Sequence, residues 1–170
     1  MIGKLKERII KGVHAYTGLE VVDTDNNHRR PKRPFYSYKI TSIKTNASGR
    51  GNYSQDFPKS LDSRFKYDYR EKVELHPQVM ISFSCYSEDI AVCMDKIYQA
   101  WDYFKHIESD YLVQDNIVVV GVGDIMDRTI VLGDRYEYRY GFDVEFRFLH
   151  EIERRRETIE KYKFRRVKDL

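Results

Sequence analysis

From Arg135 to Phe148 apolar and polar residues alternate at every position, and no other stretch constrains the fold as tightly. Tyr136, Tyr138, Tyr140, Phe142, Val144, Phe146 and Phe148 fall on one face. Arg135, Glu137, Arg139, Gly141, Asp143, Glu145 and Arg147 fall on the other. A period of two is what a strand needs to bury one face and hydrate the other. The polar face carries both charge signs, so it is expected to meet water or a partner of matching charge.

The rest of the chain places this strand in a small α+β domain. Residues 2–16 form an amphipathic helix, with Ile2, Leu5, Ile9, Ile10 and Val13 on one stripe and Gly18 as its stop. A short strand is expected at 19–22. The stretch 24–34, TDNNHRRPKRP, holds two prolines and no apolar residue, so it is a loop. Residues 35–45 alternate as a strand through Tyr36, Tyr38 and Ile40, and 46–61, rich in Gly, Ser and Asn, reads as a flexible loop or hairpin tip. Odd positions over 65–85 are nearly all apolar, but Glu71 and Pro77 interrupt them, which predicts two strands or one bent strand. Ser87 is expected to start a second helix, with Ile90, Cys93, Met94, Ile97, Trp101, Phe104 and Ile107 at helical spacing. Ile117–Val122 is continuously apolar and reads as a central strand covered on both faces. Turns at 124–127 and 133–134 flank a short strand at 129–132, and the final core strand runs over 135–150.

The expected architecture is therefore a mainly antiparallel sheet with two helices packed on one face. It forms a single domain over 1–170, with a projecting β-hairpin within about 36–73 and a charged C-terminal arm at 151–170. Hydrophobic residues make up 41% of the 170, enough for a real core. The net charge of +3 lacks the footprint of a dedicated DNA binder, since acids balance bases nearly everywhere. Fourteen tyrosines against one tryptophan suit half-buried strands and subunit interfaces. Cys85 and Cys93 are too few for a disulfide framework and lie on apolar stripes, so buried reduced thiols and synthesis in the cytoplasm are expected. The N-terminus lacks the apolar centre of a signal peptide, and no apolar run reaches membrane-spanning length.

Candidate chemistry is thin. His28, Arg29, Arg30, Lys32 and Arg33 form the densest basic cluster, suited to phosphates or to an acidic surface on a neighbouring subunit. Gly121 and Gly123 make half a nucleotide-binding turn, but no helix follows to offer its amides. Asp124, Asp127, Asp134 and Glu137 lie close enough in sequence to ligate a hard cation, although acids in hairpin turns are ordinary. Asp143, Glu145 and Arg147 echo the acid-x-acid-x-Lys layout of metal-dependent nucleases, with Arg where Lys belongs. The five histidines lack metal-ligand spacing. Neither cysteine is placed as a nucleophile, because a thiol inside a core stripe packs as a small hydrophobe. No catalytic, cofactor or metal residues are assigned, and no enzyme activity is expected.

Three segments carry a family resemblance: HPQVMISFSCYSEDIAVCMDKIYQAWDYF (76–104), NIVVVGVGDI (116–125) and RYEYRYGFDVEFRFLHEIERRRETIEKYKF (135–164), preceded by PFYSYKIT (34–41). An apolar strand leading into an amphipathic helix, then a buried strand, a turn, an Arg/Tyr-rich strand and a charged end resembles the neck or tail-terminator (tail-completion) proteins of tailed bacteriophages. The basic loop 28–33 and the segment 46–73 depart from that pattern. The resemblance implies a virion protein that forms a ring, usually a hexamer, at the head-proximal end of the tail. Such a ring stops tail-tube polymerisation and joins tail to head. It implies the chain itself, the tail-tube protein and a head-completion or connector protein as partners, with DNA passing through the lumen without specific binding and no membrane.

A ring needs heterologous interfaces, one patch of each subunit meeting a different patch of the next. Tyr53, Phe57, Phe65, Tyr67 and Tyr69 are the candidate aromatic anchors, and Glu137, Arg139, Asp143, Glu145 and Arg147 the candidate charge partners. The alternatives are a head-completion adaptor or stopper of the connector, or a nucleic-acid-binding module using the basic loop and stacking tyrosines.

Overall fold

The computed structural model describes residues 2–27, 29–44, 49–107 and 112–157. Its elements run α1 (Ile2–Thr17), β1 (Val21–Asp23), β2 (Phe35–Lys44), β3 (Asn52–Asp56), β4 (Asp68–Leu75), β5 (Gln78–Ser87) and α2 (Ile90–Asp102). They continue through a π-helical turn at Tyr103–Ile107, then β6 (Ile117–Val122), β7 (Met126–Asp127), β8 (Ile130–Leu132), β9 (Arg135–Phe148) and β10 (His150–Glu157). The class is α+β, as expected.

The alternating strand is the hub. One edge of β9 pairs with β5 from Tyr138 to Arg147. The other edge takes β6, β7 and β8 in succession, giving the sheet order β1-β2-β5-β9-β6 with β7 and β8 along the remaining length of β9. These pairings are antiparallel; β1 lies parallel to β2. The register sets Phe83 beside Phe142, Ile81 beside Val144 and Val79 beside Phe146, so one face of the sheet is continuously apolar. Helices α1 and α2 lie on that face: Leu5, Ile9, Val13, Cys93, Ile97 and Ala100 join the sheet residues in one core. Phe104 sits at its centre, with its ring 4.8 Å from Phe83, 6.1 Å from Phe142 and 5.7 Å from Phe146.

Helix α2 starts later than Ser87. Asp89 is the cap and accepts from the Val92 amide at 3.0 Å, while the Ser87 hydroxyl accepts from the Asp89 amide. The expected apolar stripe of α2 is also wider than the contact it makes. Cys93, Ile97 and Ala100 are buried, whereas Ile90 and Met94 are each 44% exposed. The π-helical turn then adds a residue to the repeat, which lets adjacent Tyr103 and Phe104 both face the core.

Strand β6 is not the central strand its sequence implied. It lies at the edge of the main sheet, and Val120 is 44% exposed. Its continuous valines reflect β-branched preference for extended backbone and do not mark burial on both faces. A register shift between Val119 and Gly121 further breaks the alternation.

Residues beyond Phe148 leave the main sheet. Strand β10 pairs antiparallel with β4, and β4 with β3, forming a second, three-stranded sheet. The stretch 46–61, expected to be a flexible loop or hairpin tip, holds strand β3, which pairs antiparallel with β4. Residues 158–170 of the charged arm lie outside the described residues. Pro77 stands where β4 hands over to β5 in the other sheet; a prolyl nitrogen offers no ladder donor, so the break falls there.

Gly141 sits on the polar face of β9, where a Cβ would stand 2.4 Å from the Phe83 carbonyl oxygen and 2.8 Å from both Arg128 Nη1 and Ser84 Oγ. Backbone cannot swing aside, so Gly141→Ala forces β5 and β9 apart. It is expected to cost about 1–3 kcal/mol and lower the thermal midpoint by several degrees. Gly121→Ala, with nothing within 4 Å of the added carbon, leaves the midpoint unchanged in the same melts.

Candidate interaction surfaces

The polar face of β9 is only partly wet, because loop 24–34 folds back across it. Phe35 and Tyr86, neighbours on β2 and β5, stack with ring centroids 4.9 Å apart. The Arg139 guanidinium lies 5.2 Å from the Tyr86 ring and that of Arg30 at 5.8 Å. Beyond them Glu137 is 2% exposed. Its Oε1 accepts from Arg30 Nη1 at 3.1 Å and from Arg33 Nη2, and Arg33 also reaches Glu88 at 3.6 Å. A carboxylate removed from water needs such partners, since its unpaired charge in a protein interior costs several kcal/mol. Glu137, expected on a hydrated face, is thus a buried anchor for the loop. Arg30 and Arg33, expected to meet phosphates or a neighbour's acids, hold an acid of their own chain. Arg29 and Lys32 remain exposed, and His28 lies outside the described residues. Glu137 Oε2 and Arg139 Nε are buried without a hydrogen-bond partner among the described residues.

Further along, Arg128 lies flat over the sheet. Its Nη1 donates to Ser82 Oγ at 2.7 Å and Ser84 Oγ at 3.2 Å, and its Nη2 to Asp143 Oδ1 at 3.0 Å. Glu145 pairs with Lys44 at 3.0 Å, and Arg147 is exposed. Asp143, Glu145 and Arg147 therefore do not converge as a nuclease site would require. Asp127 accepts from the Thr129 amide at 2.8 Å, and the Thr129 hydroxyl and amide together hold its carboxyl below the usual range. Among the described residues no three of His, Cys, Asp and Glu gather to hold a metal. Gly123 extends the β6–β9 pairing, its amide donating to the Asp143 carbonyl and its own carbonyl accepting from Trp101 Nε1 at 2.9 Å. Both cysteines are free and fully buried; Cys93 Sγ donates to the Cys85 carbonyl at 3.3 Å. The hydrogen bond with Cys93 and burial hold the Cys85 thiol far above the ordinary thiol range, the reverse of an activated nucleophile.

What the chain offers is surface. On the three-stranded sheet Tyr53 and Phe57 are 60% and 61% exposed, with Phe57 and Tyr69 rings 5.8 Å apart. Phe65 is half-buried under the Arg64 guanidinium, and Tyr67 forms a bridge with Lys59 at the hairpin tip. The tip is built around buried Asp68, whose amide donates to the Pro58 carbonyl and whose carboxylate accepts from the Leu61 amide. That arrangement presents Leu61 at 84% exposure. Along α2, Ile90, Met94 and Tyr98 are exposed, and on the β8–β9 hairpin so are Ile130, Val131, Leu132 and Tyr136. Tyr136 fits the core-face alternation yet lies outside, because the end of β9 runs past the helices that cover the rest. The signal for this hairpin was present in the sequence: Ile130, Val131 and Leu132 put apolar groups on both faces beside a Gly-Asp turn, which no single-sided core can bury.

Residues 4–166 match the family model described as phage neck terminator protein. No curated protein matches the chain.

The Glu137 anchor makes unequal demands on its two arginines. Arg33 is the less exposed partner, so Arg33→Ala leaves the carboxylate buried and poorly paired, at an expected cost of about 3 kcal/mol in urea denaturation. Arg30→Ala is expected to cost under about 1 kcal/mol. Adding Glu137→Gln to Arg33→Ala recovers part of the loss by removing the charge. Equal losses for the two arginine variants would show that Glu137 does not depend on Arg33.

Proposed function

Because the chain belongs to the phage neck terminator family, we propose that its copies close into a ring at the head-proximal end of the tail. The ring, of six copies as in the proteins it resembles, caps the tail tube, ends its polymerisation and carries the surface to which the head connector binds. DNA passes through the lumen without specific contacts. The work is shape and contact, with no turnover. Its partners are further copies of this chain, the tail-tube protein and a head-completion protein, in the neck of the virion.

The observation that carries this reading is the amount of apolar surface one copy leaves uncovered on three elements: the β3–β4 hairpin, the outer flank of α2 and the β8–β9 hairpin. Scattered single apolar residues are normal on monomers, but contiguous groups of this kind mark contact sites. Separate, dissimilar patches suit a heterologous ring, where each copy gives one surface and receives another. The candidate anchors Tyr53, Phe57, Phe65, Tyr67 and Tyr69 belong to the first of these places. The near-neutral charge and the engagement of Arg30 and Arg33 by Glu137 weigh against a dedicated nucleic-acid module.

Disrupting this gene and imaging the lysate by negative-stain electron microscopy tests the reading. Overlong tails without heads, beside filled tailless heads, are the expected outcome. Tails of normal length that fail to join heads would instead make the protein a connector adaptor. Normal particles would overturn the structural reading and turn attention to Arg29, Lys32 and nucleic acid.

A further inference from the structure

The three-stranded sheet has two unlike faces. Alternation along the paired strands puts Tyr53, Tyr69, Val73, Leu75 and Ile152 on one of them together with Gln55, Glu71 and His150, and Phe57 continues it beside Tyr69. The other face carries a lattice of ion pairs: Arg70 with Asp56 and, at 4.0 Å, with Glu153; Lys72 with Glu151 at 3.8 Å; and Arg155 with Glu153 at 2.8 Å. The charged face is therefore complete in one copy. The apolar face is not, since no other element packs extensively against this sheet among the described residues. A small sheet needs its apolar face buried to be stable in water.

The apolar face also has a polarity. On β10, Arg154 stands opposite Glu71, an acid of the same face, and Arg156 opposite Tyr69; both arginines are exposed and both lie on the apolar side by alternation. A surface that covers this face must be apolar, with acid placed to meet the two β10 arginines that the single Glu71 does not balance. The outer flank of α2 has that composition. Ile90, Met94 and Tyr98 recur every four residues along it, with the Tyr98 ring 6.3 Å from Trp101. Asp95 and Asp102 lie beside that row on the helical wheel. The β8–β9 hairpin, the third exposed apolar place, presents Arg135 beside Asp134 and no such acidic row.

We infer that the apolar face of the β3–β4–β10 sheet docks on the outer flank of α2 of the next copy of this chain, with Arg154 and Arg156 meeting Asp95 and Asp102. The inference rests on the ring assembly proposed above and names its subunit contact. It is heterologous, sheet face against helix flank, so it propagates from copy to copy and closes wherever the rotation between copies allows. Its aromatic residues supply the apolar contact and the charges beside them the register.

The test is a cysteine cross-link in assembled particles. Cys85 and Cys93 are fully buried, so introduced cysteines are the groups a maleimide reaches in the folded protein. Virions are grown with Tyr53→Cys and Tyr98→Cys in the same chain, treated with a short bis-maleimide, and run on a denaturing gel. A ladder of multiples of this chain is expected, with residues 53 and 98 joined in the mass spectrum, while each single variant gives no ladder. Two outcomes would overturn the contact: residue 53 joined to a different protein, or both cysteines freely labelled by a monofunctional maleimide in intact particles without a ladder. Should the cysteine variants not assemble, a charge exchange decides. Arg154→Asp with Arg156→Asp, and Asp95→Arg with Asp102→Arg, are each expected to lower particle yield at least tenfold, with the four changes together restoring most of it. A combined loss equal to the sum of the two, in proteins that melt like the wild type, would overturn it. Overlong tails on gene disruption without the 53–98 link would sink this contact and leave the terminator reading standing. The link with normal tails on disruption would do the reverse.

Discussion

Everything in the main sheet is positioned through strand Arg135–Phe148. Strand Gln78–Ser87 runs along one of its edges, and three shorter strands share the other. Fourteen residues is long for a strand in a small domain, and the length has consequences at both ends. Over its second half, Phe142, Val144, Phe146 and Phe148 lie under the helices with Phe104 between them. Its first residues outrun the helical layer. There one side chain, Tyr136, stays in solvent on the face that is buried further along, and another, Glu137, is buried on the face expected to be wet. The ordinary inside and outside of an amphipathic strand thus exchange near its start.

That exchange explains the basic loop. A buried carboxylate is tolerated only with cations and hydrogen-bond donors close by. Loop 24–34 supplies Arg30 and Arg33, and the stacked Phe35 and Tyr86 give it a flat apolar bed. Pairs of this kind add little net stability over an apolar replacement, but losing one partner is expensive. Their effect is to hold the loop in a single place on the sheet. The same logic holds for Arg128, laid across Ser82, Ser84 and Asp143 in the space that Gly141 leaves open. Charges that resembled a site in sequence act as clasps between loop and sheet.

A protein built this way, with clasped loops and buried thiols, fits the phage neck terminator family to which it belongs. Its informative parts are those it leaves unfinished. The three-stranded sheet completes its charged face within one chain and leaves the apolar face open. The outer flank of α2 carries an apolar row with acid beside it, and the β8–β9 hairpin has apolar side chains on both faces. Such open apolar surface is what the contacts of the proposed ring would cover.

The sequence by itself determined the α+β class, the two helices, the hub strand and the apolar side of its second half. Local periodicity carries those features, because a strand or helix with one apolar face has few ways to bury it. It also marked the loop at 24–34 and the break at Pro77. Only tertiary structure decided that Val118, Val119 and Val120 belong to an edge strand, since β-branched residues suit edge and centre alike. Only it placed Ile90 and Met94 outside a stripe that helical spacing assigned to the core, because the width of the covering sheet is not written in the helix. The pairing of His150–Glu157 with Asp68–Leu75 and the burial of Glu137 by residues more than a hundred positions away were equally invisible. Pattern along a chain fixes which face of an element is apolar; what comes to lie over that face is settled by contacts between distant segments, and no local period encodes them.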